Sequence, residues 1–343
     1  MSARCAALPQ SGRNPLPIPT LMTKQPIQFA DRYRSLFHKA ARRGYSEWIF
    51  TTSALIDAMG ARAAAWFETR SAVMVLAECW PLSAEMRFTK GIHSKVAALV
   101  RLAGHQKNRD ATGLGFLAYV LDKGDASALA ASPGEKPLRW LARAIRNPSG
   151  FWSWVFDHTA DKGRKTLIDN AFRFRDGGRP HDQAVAMAAA YLALTQSPLE
   201  IRPAPMPEEA FPFWVVFDRH TAAGKRVLKD TARDLHIPLP QLEWAYFYFE
   251  GSASNAEASS PWWRAYCRWH FRKVGLLPEE IHLLWEPARA QMITALAEDS
   301  QRLQGDLYRW KLAHMDAIEA VKRRVELFNA NIKEVQGDQS ALF

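Results

Sequence analysis

The stretch IHSKVAALVRLAG, residues 92–104, decides the fold class of this chain. Its apolar residues Ile92, Val96, Leu99 and Ala103 recur at spacings of three and four, which is the period of one face of an α-helix. A glycine follows at position 104, where a helix commonly ends. The stretch therefore predicts an amphipathic helix with its apolar face turned towards a core.

The same pattern continues on both sides of this stretch, from Phe29 to Gln196. Runs of alternating polar and apolar residues, which are typical of strands, are nearly absent, and glycine or proline separates the periodic segments. We therefore predict an all-α fold. The expected helices cover approximately residues 29–43, 47–59, 61–79, 92–104, 109–122, 136–146, 164–175 and 181–196.

The composition indicates a globular, basic protein. With 343 residues, 48% of them apolar, the chain is long enough for one large or two medium domains with buried cores. Lysine and arginine number 45 against 35 acidic residues, and a net charge of +10 favours partners rich in phosphate, such as nucleic acid or an anionic membrane surface.

The cysteine usage and the hydropathy of the chain indicate the cellular compartment of the protein. The three cysteines are far apart and have no metal-ligand spacing, so neither a disulfide framework nor a zinc site is expected. No run of eighteen apolar residues occurs, and the first residues lack the apolar core of a secretory signal. We expect a cytoplasmic protein that does not span a membrane.

Prolines divide the chain. Four of them in the first twenty residues predict a segment without regular structure, and Met22 is an alternative start. Five more between Pro198 and Pro212 favour a subdomain boundary. The expected units are a disordered segment 1–27, a helical domain 28–198, a second helical subdomain 199–333 that ends in a long helical segment, and a flexible tail 334–343 that Gly337 and Asp338 release.

The long helical segment before the tail carries an apolar seam, with interruptions expected near Pro287 and Gly305. One interpretation is a homodimer through the helix at residues 303–332, and the other, which we favour, is a helix that packs against its own domain. The seam residues are Leu303, Leu307, Trp310, His314, Ala317, Val321, Phe328 and Ile332.

Residues 151–171 and 213–232 align as an internal repeat, which predicts a duplicated helical unit. Each copy contains the sequence His-Thr-Ala followed by a glycine, a basic pair, a leucine and an alanine. The first copy has His158, Thr159, Ala160, Gly163, Arg164, Lys165, Leu167 and Ala171. The second has His220, Thr221, Ala222, Gly224, Lys225, Arg226, Leu228 and Ala232.

The repeat also contains titratable pairs. Asp157 with His158, and Asp218 with His220, have the residue types of acid–base pairs or metal ligands. We favour another interpretation, in which Thr159 and the matching Thr221 cap the helices that follow.

Sequence signatures of other catalytic sites are absent. The ten histidines form no HExxH pair or Cys/His cluster, so no metal ligands are expected. No phosphate loop, dinucleotide fingerprint or nucleophile elbow occurs, and Gly113 and Gly115 lie inside a helical pattern. We therefore expect no cofactor and no catalytic residues, although an enzyme with an unrecognised site stays open.

Residues 261–273 predict a nucleic-acid interface. Arg264, Arg268 and Arg272 fall four apart on one helical face, which makes a basic ridge able to contact phosphates. Lys273 extends this ridge, and Trp263 or Trp269 would stack on an unpaired base. The alternative is a core helix with a solvated basic face, and Arg42, Arg43 and the basic run 322–324 are expected to be ordinary helix surface.

The last five residues, Gln339, Ser340, Ala341, Leu342 and Phe343, resemble the peptide by which bacterial replication and repair proteins dock on the DNA sliding clamp. That pattern is a glutamine, two variable residues, then leucine and phenylalanine, often at an extreme terminus. The resemblance implies that Gln339 enters a polar subsite of the clamp while Leu342 and Phe343 fill an apolar pocket. Ser340 departs from the leucine that is often found second.

A second, much fainter resemblance is to the helical collar of clamp-loader-like AAA+ ATPases, whose ATPase module this chain lacks. Together these features predict a non-catalytic replication or repair accessory protein that binds the bacterial sliding clamp and DNA. The alternatives are a clamp-targeted DNA-processing enzyme and a clamp-blocking inhibitor of replication.

Overall fold

Apolar positions at helical spacing become buried helix faces in the computed structural model. It describes residues 26–86, 91–159, 162–175, 179–196, 201–204, 218–250 and 260–340, and the side chains of these ranges except 26–32, 162–163 and 331–340. Within these residues the regular secondary structure is helical, with two isolated β-bridges and no strand. The prediction of an all-α fold is confirmed.

Among the described residues, ten α-helices and one 3-10 helix precede residue 200. They are α1 Pro26–Arg43, α2 Ser46–Ala58, α3 Ala61–Glu78, the 3-10 helix Trp80–Glu85, α4 Ile92–Ala103, α5 Asp110–Asp122, α6 Ser127–Ala131, α7 Glu135–Ile145, α8 Pro148–Asp157, α9 Lys162–Phe174 and α10 Pro180–Thr195. Each helix predicted in this part of the chain is present. The short α6 and the aromatic α8 were not predicted.

The described residues after position 200 form six further helices. They are α11 Ala222–Asp234, α12 Leu239–Glu250, α13 Pro261–Val274, α14 Ile281–Ala295, α15 Ala297–Ala313 and α16 Met315–Ser340. The breaks in the long segment lie at Leu296 and His314, whereas Pro287 and Gly305, where we expected them, are inside α14 and α15. A single glycine costs a helix only about 1 kcal/mol, so Gly305 does not end one.

At both ends of the described residues, a helix extends further than predicted. α1 begins at Pro26, inside the segment predicted to lack structure, because proline is well tolerated in the first turn of a helix. α16 continues through Gly337 and Asp338, where we expected a helix end, as far as Ser340. Residues 1–25 and 341–343 lie outside the described residues.

The buried apolar side chains form two clusters. The first core joins α1 to α4 with α11 to α16, and the second core surrounds α5, α7, α9 and α10. α13 lies between them, since Trp263 and Phe271 belong to the first core and Trp262 and Ala265 to the second. Each core therefore combines residues from both sides of the predicted boundary near Pro198.

The predicted C-terminal seam is buried within the chain. Leu303, Leu307 and Val321 are buried in the first core, and Phe328 packs against it. α16 contacts α2 and α4. A helix packed against its own domain, the interpretation we favoured, describes this arrangement. Leu312, Met315 and Leu327 are exposed along the same segment, so a homodimer through residues 303–332 stays a prediction.

Candidate nucleic-acid interface

The position of α13 is fixed at its first turn by α5. The backbone N–H of Trp262 donates to the Asp110 carboxylate at 2.7 Å, and the N–H of Arg109 donates to the Ser260 hydroxyl at 3.0 Å. Each helix start thus satisfies an amide at the start of the other, which would otherwise lack a partner inside the protein. These two hydrogen bonds therefore set the position of the first turn, and the rest of α13 continues from it.

Trp263 is a core residue and cannot stack on a base, so its predicted role is wrong. Its side chain is fully buried, and the guanidinium carbon of Arg109 lies 3.8 Å from the centre of the indole ring. Burial lowers the pKa of Arg109, an effect that the charge of Glu78 opposes. The stack between cation and ring gives a buried charge a favourable neighbour.

The arginines of the predicted ridge differ in exposure. Arg268 and Arg272 are exposed, whereas Arg264 is half-buried and its Nε atom is buried without a hydrogen-bond acceptor. None of the three forms an ion pair with the described residues. Arg268 and Arg272 therefore present two adjacent, unpaired guanidinium groups to solvent, which is the arrangement that phosphate contacts need.

Trp269 and Lys273 attach α13 to the turn before α6. The indole N–H of Trp269 donates to the Ser127 hydroxyl at 3.0 Å, and Lys273 Nζ lies 2.7 Å from the Asp125 carboxylate. The Lys273 charge is thus already paired, which weakens it as a phosphate ligand. Trp269 is half-buried and stacks on Tyr266 with ring centroids 5.8 Å apart, so only part of its indole is open to a base.

Behind this surface lies a network of buried ions that no pattern in the sequence indicated. Glu78 is buried, with Arg42 Nε at 2.7 Å from one carboxylate oxygen and Arg109 Nε at 3.5 Å from the other. Burial tends to raise the pKa of Glu78, but Arg109 and Arg42 outweigh it and hold the pKa below its ordinary value. Glu78 therefore stays ionised at neutral pH.

Arg42 and Arg43 are not ordinary surface, contrary to our expectation. Arg42 pairs with buried Glu78, and Arg43 pairs with buried Glu250 of α12. The basic run at residues 322–324 does lie on the surface of α16, where Lys322 pairs with Glu47 at 3.2 Å. The sequence alone does not show whether two adjacent arginines pair with buried acidic residues or are solvated.

Beside them, Lys39 is also buried and donates to the Tyr246 hydroxyl at 3.0 Å. Burial lowers the pKa of Lys39 to about 8, although Glu250 and Asp218 act in the opposite direction. Burial also raises the pKa of Tyr246. These groups connect α1 to α12 beneath the surface, and no pattern within one helix would have indicated the pairing.

Of the two Asp/His pairs that had the residue types of acid–base pairs, the one at Asp218 and His220 is hydrogen-bonded. The Asp218 carboxylate accepts from both the backbone N–H and the Nδ1 atom of His220, each at 2.8 Å. Burial would raise the pKa of Asp218, but the hydrogen bonds from His220 and the charge of Lys39 hold it below its ordinary value. In the other copy, His158 Nδ1 instead contacts the Trp154 carbonyl.

The capping prediction is confirmed for Thr221, whose hydroxyl accepts from the Gly224 N–H at 3.0 Å at the start of α11. Thr159 behaves differently, because its hydroxyl donates back to the Val155 carbonyl of α8 at 2.6 Å. The described residues hold no group of His, Cys, Asp and Glu side chains suited to a metal ion. Nor does any helix among them have the length and apolar character needed to cross a membrane.

Most of the predicted clamp peptide lies outside the described residues. Gln339 and Ser340 belong to the backbone of α16, but their side chains, and Ala341, Leu342 and Phe343 altogether, are outside the described residues. No known protein family, no characterised protein and no solved structure matches the chain.

Proposed function

We propose that this protein is a non-catalytic accessory factor of replication or repair that binds the bacterial sliding clamp through Gln339–Phe343 and DNA through α13. The observation that carries the DNA part is the pair Arg268 and Arg272. Both side chains are exposed, they lie one helical turn apart, and no described acidic group neutralises them. Phosphates of a DNA backbone are suitable partners for such a pair.

The clamp part rests on the resemblance of the last five residues. A short peptide with one polar and two apolar anchors binds a preformed pocket weakly by itself. Attachment to a ring that already encircles DNA raises the effective concentration of the α13 arginines near the duplex. Two modest contacts then act together, and neither has to be tight.

A titration of purified sliding clamp against the full chain and against a chain lacking Gln339–Phe343 tests the clamp part. The full chain should bind at micromolar or better affinity, and the shortened chain should lose at least 10-fold of that affinity. Substituting Leu342→Ala with Phe343→Ala should give the same loss without shortening α16. Equal binding by all three proteins excludes the tail as the docking element.

A DNA titration over a series of salt concentrations tests α13. Arg268→Gln with Arg272→Gln should weaken binding and reduce the dependence of log K on log salt by about 1 to 2 units. The matched control is Arg139→Gln with Lys165→Gln, which removes the same charge from exposed residues that are already ion-paired. Equal effects of the two double variants would mean that only net charge matters.

A second function, a clamp-targeted DNA-processing enzyme, is favoured by the Asp218–His220 pair. An ionised carboxylate that accepts from Nδ1 leaves the Nε2 atom of the exposed imidazole able to move a proton. Labelled DNA incubated with the protein and Mg²⁺ or Mn²⁺ tests this. Turnover that His220→Ala removes would support the enzyme, and an unchanged substrate would support the accessory factor.

A further inference from the structure

An open groove of about 410 Å³ lies beside α11, and none of the residues that line it belongs to the predicted interface on α13. Its volume falls within the range of small-ligand sites in proteins. Buried Leu228 contributes apolar surface, and the other lining groups are polar. The lining residues are Arg219, His220, Lys225, Leu228, Lys229 and Glu243.

The cations of this α11 groove have no counter-ions in the described part of the protein. Arg219, Lys225 and Lys229 form no ion pair there, and Lys225 and Lys229 lie one turn apart on the same helix. Like charges at this spacing destabilise a helix by a few tenths of a kcal/mol. Glu243 on α12 is the one acidic group of the lining, and it pairs with none of the three.

The first copy of the repeat provides an internal comparison. The position that aligns with Lys229 is occupied by Ile168, which is fully buried in the second core. The position that aligns with Lys225 is occupied by Arg164, whose guanidinium donates to the Leu194 carbonyl at 3.5 Å. α9 is covered by the 3-10 helix and α10, whereas α11 contacts α12 and α14 and leaves Lys229 in an open groove.

His220 at the rim of the groove is held by Asp218. The ionised carboxylate accepts from Nδ1, which fixes the ring and directs any further hydrogen bond to Nε2. Asp218 is itself buried, and the charge of Lys39, which does not line the groove, helps to lower its pKa. The rim is therefore an oriented imidazole beside three unpaired cations.

From this geometry we infer that the α11 groove binds a phosphate group. Three positively charged donors in a ligand-sized groove match a phosphate anion, and His220 adds an Nε2–H donor when its ring is protonated, while Glu243 in the lining limits the affinity. The site is formed by other residues than the arginines of α13 and goes beyond the proposed function. The phosphate belongs either to a nucleic-acid strand or to a small phosphorylated molecule.

The test compares the wild-type protein with Lys225→Gln plus Lys229→Gln, using full-length chains. The probes are inorganic phosphate, a nucleoside monophosphate and fluorescent single-stranded oligonucleotides of 5, 10 and 20 nucleotides. The groove variant should bind at least one phosphate probe about 10-fold more weakly, with a salt dependence for single strands reduced by about 1.4 units. Glu243→Gln should change affinity in the opposite direction.

Matched controls keep the result interpretable. Lys136→Gln plus Lys165→Gln removes two charges from exposed lysines of α7 and α9 outside the groove. Coincident thermal unfolding curves show that each variant is folded. Arg268→Gln with Arg272→Gln, measured in parallel, separates a failure of the groove from a failure of the α13 surface.

The outcomes discriminate between the sources of the phosphate. Affinity that rises with oligonucleotide length assigns the groove to a strand, and affinity for the monophosphate that equals that for the oligonucleotides assigns it to a small ligand. Either result, when lost in the groove variant and kept in the control, supports the site. Equal binding of all probes by wild type and groove variant overturns it.

Discussion

Asp110 links two helices through a single buried carboxylate. It begins α5, and it accepts the backbone N–H of Trp262 in the first turn of α13. Burial raises the pKa of Asp110 to about 6, although the hydrogen bonds from Trp262 and Trp263 and the charge of Arg264 act against this. At neutral pH the junction therefore contains an ionised group that its surroundings disfavour.

This predicts a pH-dependent effect of Asp110→Asn. In the unfolded chain an aspartate has a pKa near 3.9, so between about pH 4 and pH 6 the folded protein keeps a proton that the unfolded chain has lost. The retained proton stabilises the folded wild-type protein, and its contribution to the free energy of unfolding falls as pH rises through that window. Asparagine keeps the acceptor for Trp262 but does not titrate, so the variant should gain about 2 kcal/mol relative to wild type between pH 4 and pH 7.

Urea unfolding of both proteins at pH 4, 5, 6 and 7 measures this difference. Glu85→Gln serves as a control because Glu85 is exposed and paired with Arg101 on the surface. Its difference from wild type should change little over the same range. A constant difference for Asp110→Asn would mean that burial does not shift the titration of this carboxylate.

At the scale of elements, α5 packs with its backbone directly against two other helices. A Cβ atom added at Gly113 would lie 2.3 Å from the Trp262 backbone, and one added at Gly115 would lie 2.8 Å from the Ala184 backbone. These glycines are the pair that lacked a phosphate-loop context in the sequence. Their role is to allow α13 and α10 to approach α5 closely.

Substituting Gly113→Ala should therefore destabilise the protein by about 3 kcal/mol or more, because the obstructing atoms are backbone and cannot rotate away. Gly305→Ala is the matched control, since its added Cβ would meet the flexible end of Arg309 at 3.3 Å. That variant should gain up to about 1 kcal/mol through helix propensity. Thermal unfolding measures both, and similar melting temperatures would show that α13 can shift away from α5.

The helices were largely predictable because their apolar period is a local property. α8 was missed because Pro148 was interpreted as a separator, whereas it occupies the first turn and Asn147 caps the Gly150 N–H at 3.1 Å. Pro287 lies within α14, where it has no N–H to donate to the Leu283 carbonyl one turn earlier; Leu283 is 79% exposed, so the proline falls on a solvent-facing turn. A proline in the sequence does not by itself show whether it falls on an exposed or a buried face of a helix.

The candidate site was less predictable than the fold. The arginine period placed Arg268 and Arg272 on an exposed face, but nothing local distinguished Trp263 from Trp269. Trp263 is buried because Arg109, 154 residues earlier in the chain, covers its ring. The α11 groove was not indicated for the same reason, because its cations Arg219, Lys225 and Lys229 come together only through packing.

At the scale of the whole molecule, the two cores depend on both halves of the chain. Trp262 and Ala265 complete the second core, and α1 to α4 pack in the first core with α11 to α16. A cut at residue 198 would expose apolar surface on both sides. Folding of the described residues is therefore expected to be cooperative across this position.

This predicts that residues 1–198 and residues 199–343, expressed separately, lack a sharp thermal transition. Co-expression of the two fragments should restore helical circular dichroism and a cooperative transition, because each supplies the missing part of both cores. The intact chain is the control. A sharp transition in residues 1–198 alone would support an independent domain that ends near Pro198.

The contact between the α5 and α13 backbones has a consequence for the energetics of association. Side chains usually lose rotational freedom when a surface binds its partner, and loosely held elements lose still more. Because no side chain lies between α13 and α5 at Gly113, the helix that carries Arg268 and Arg272 has its orientation set when the chain folds. When a ligand binds at this surface, the protein would then lose conformational entropy only in the two arginine side chains. In this thermodynamic sense the site is preorganised.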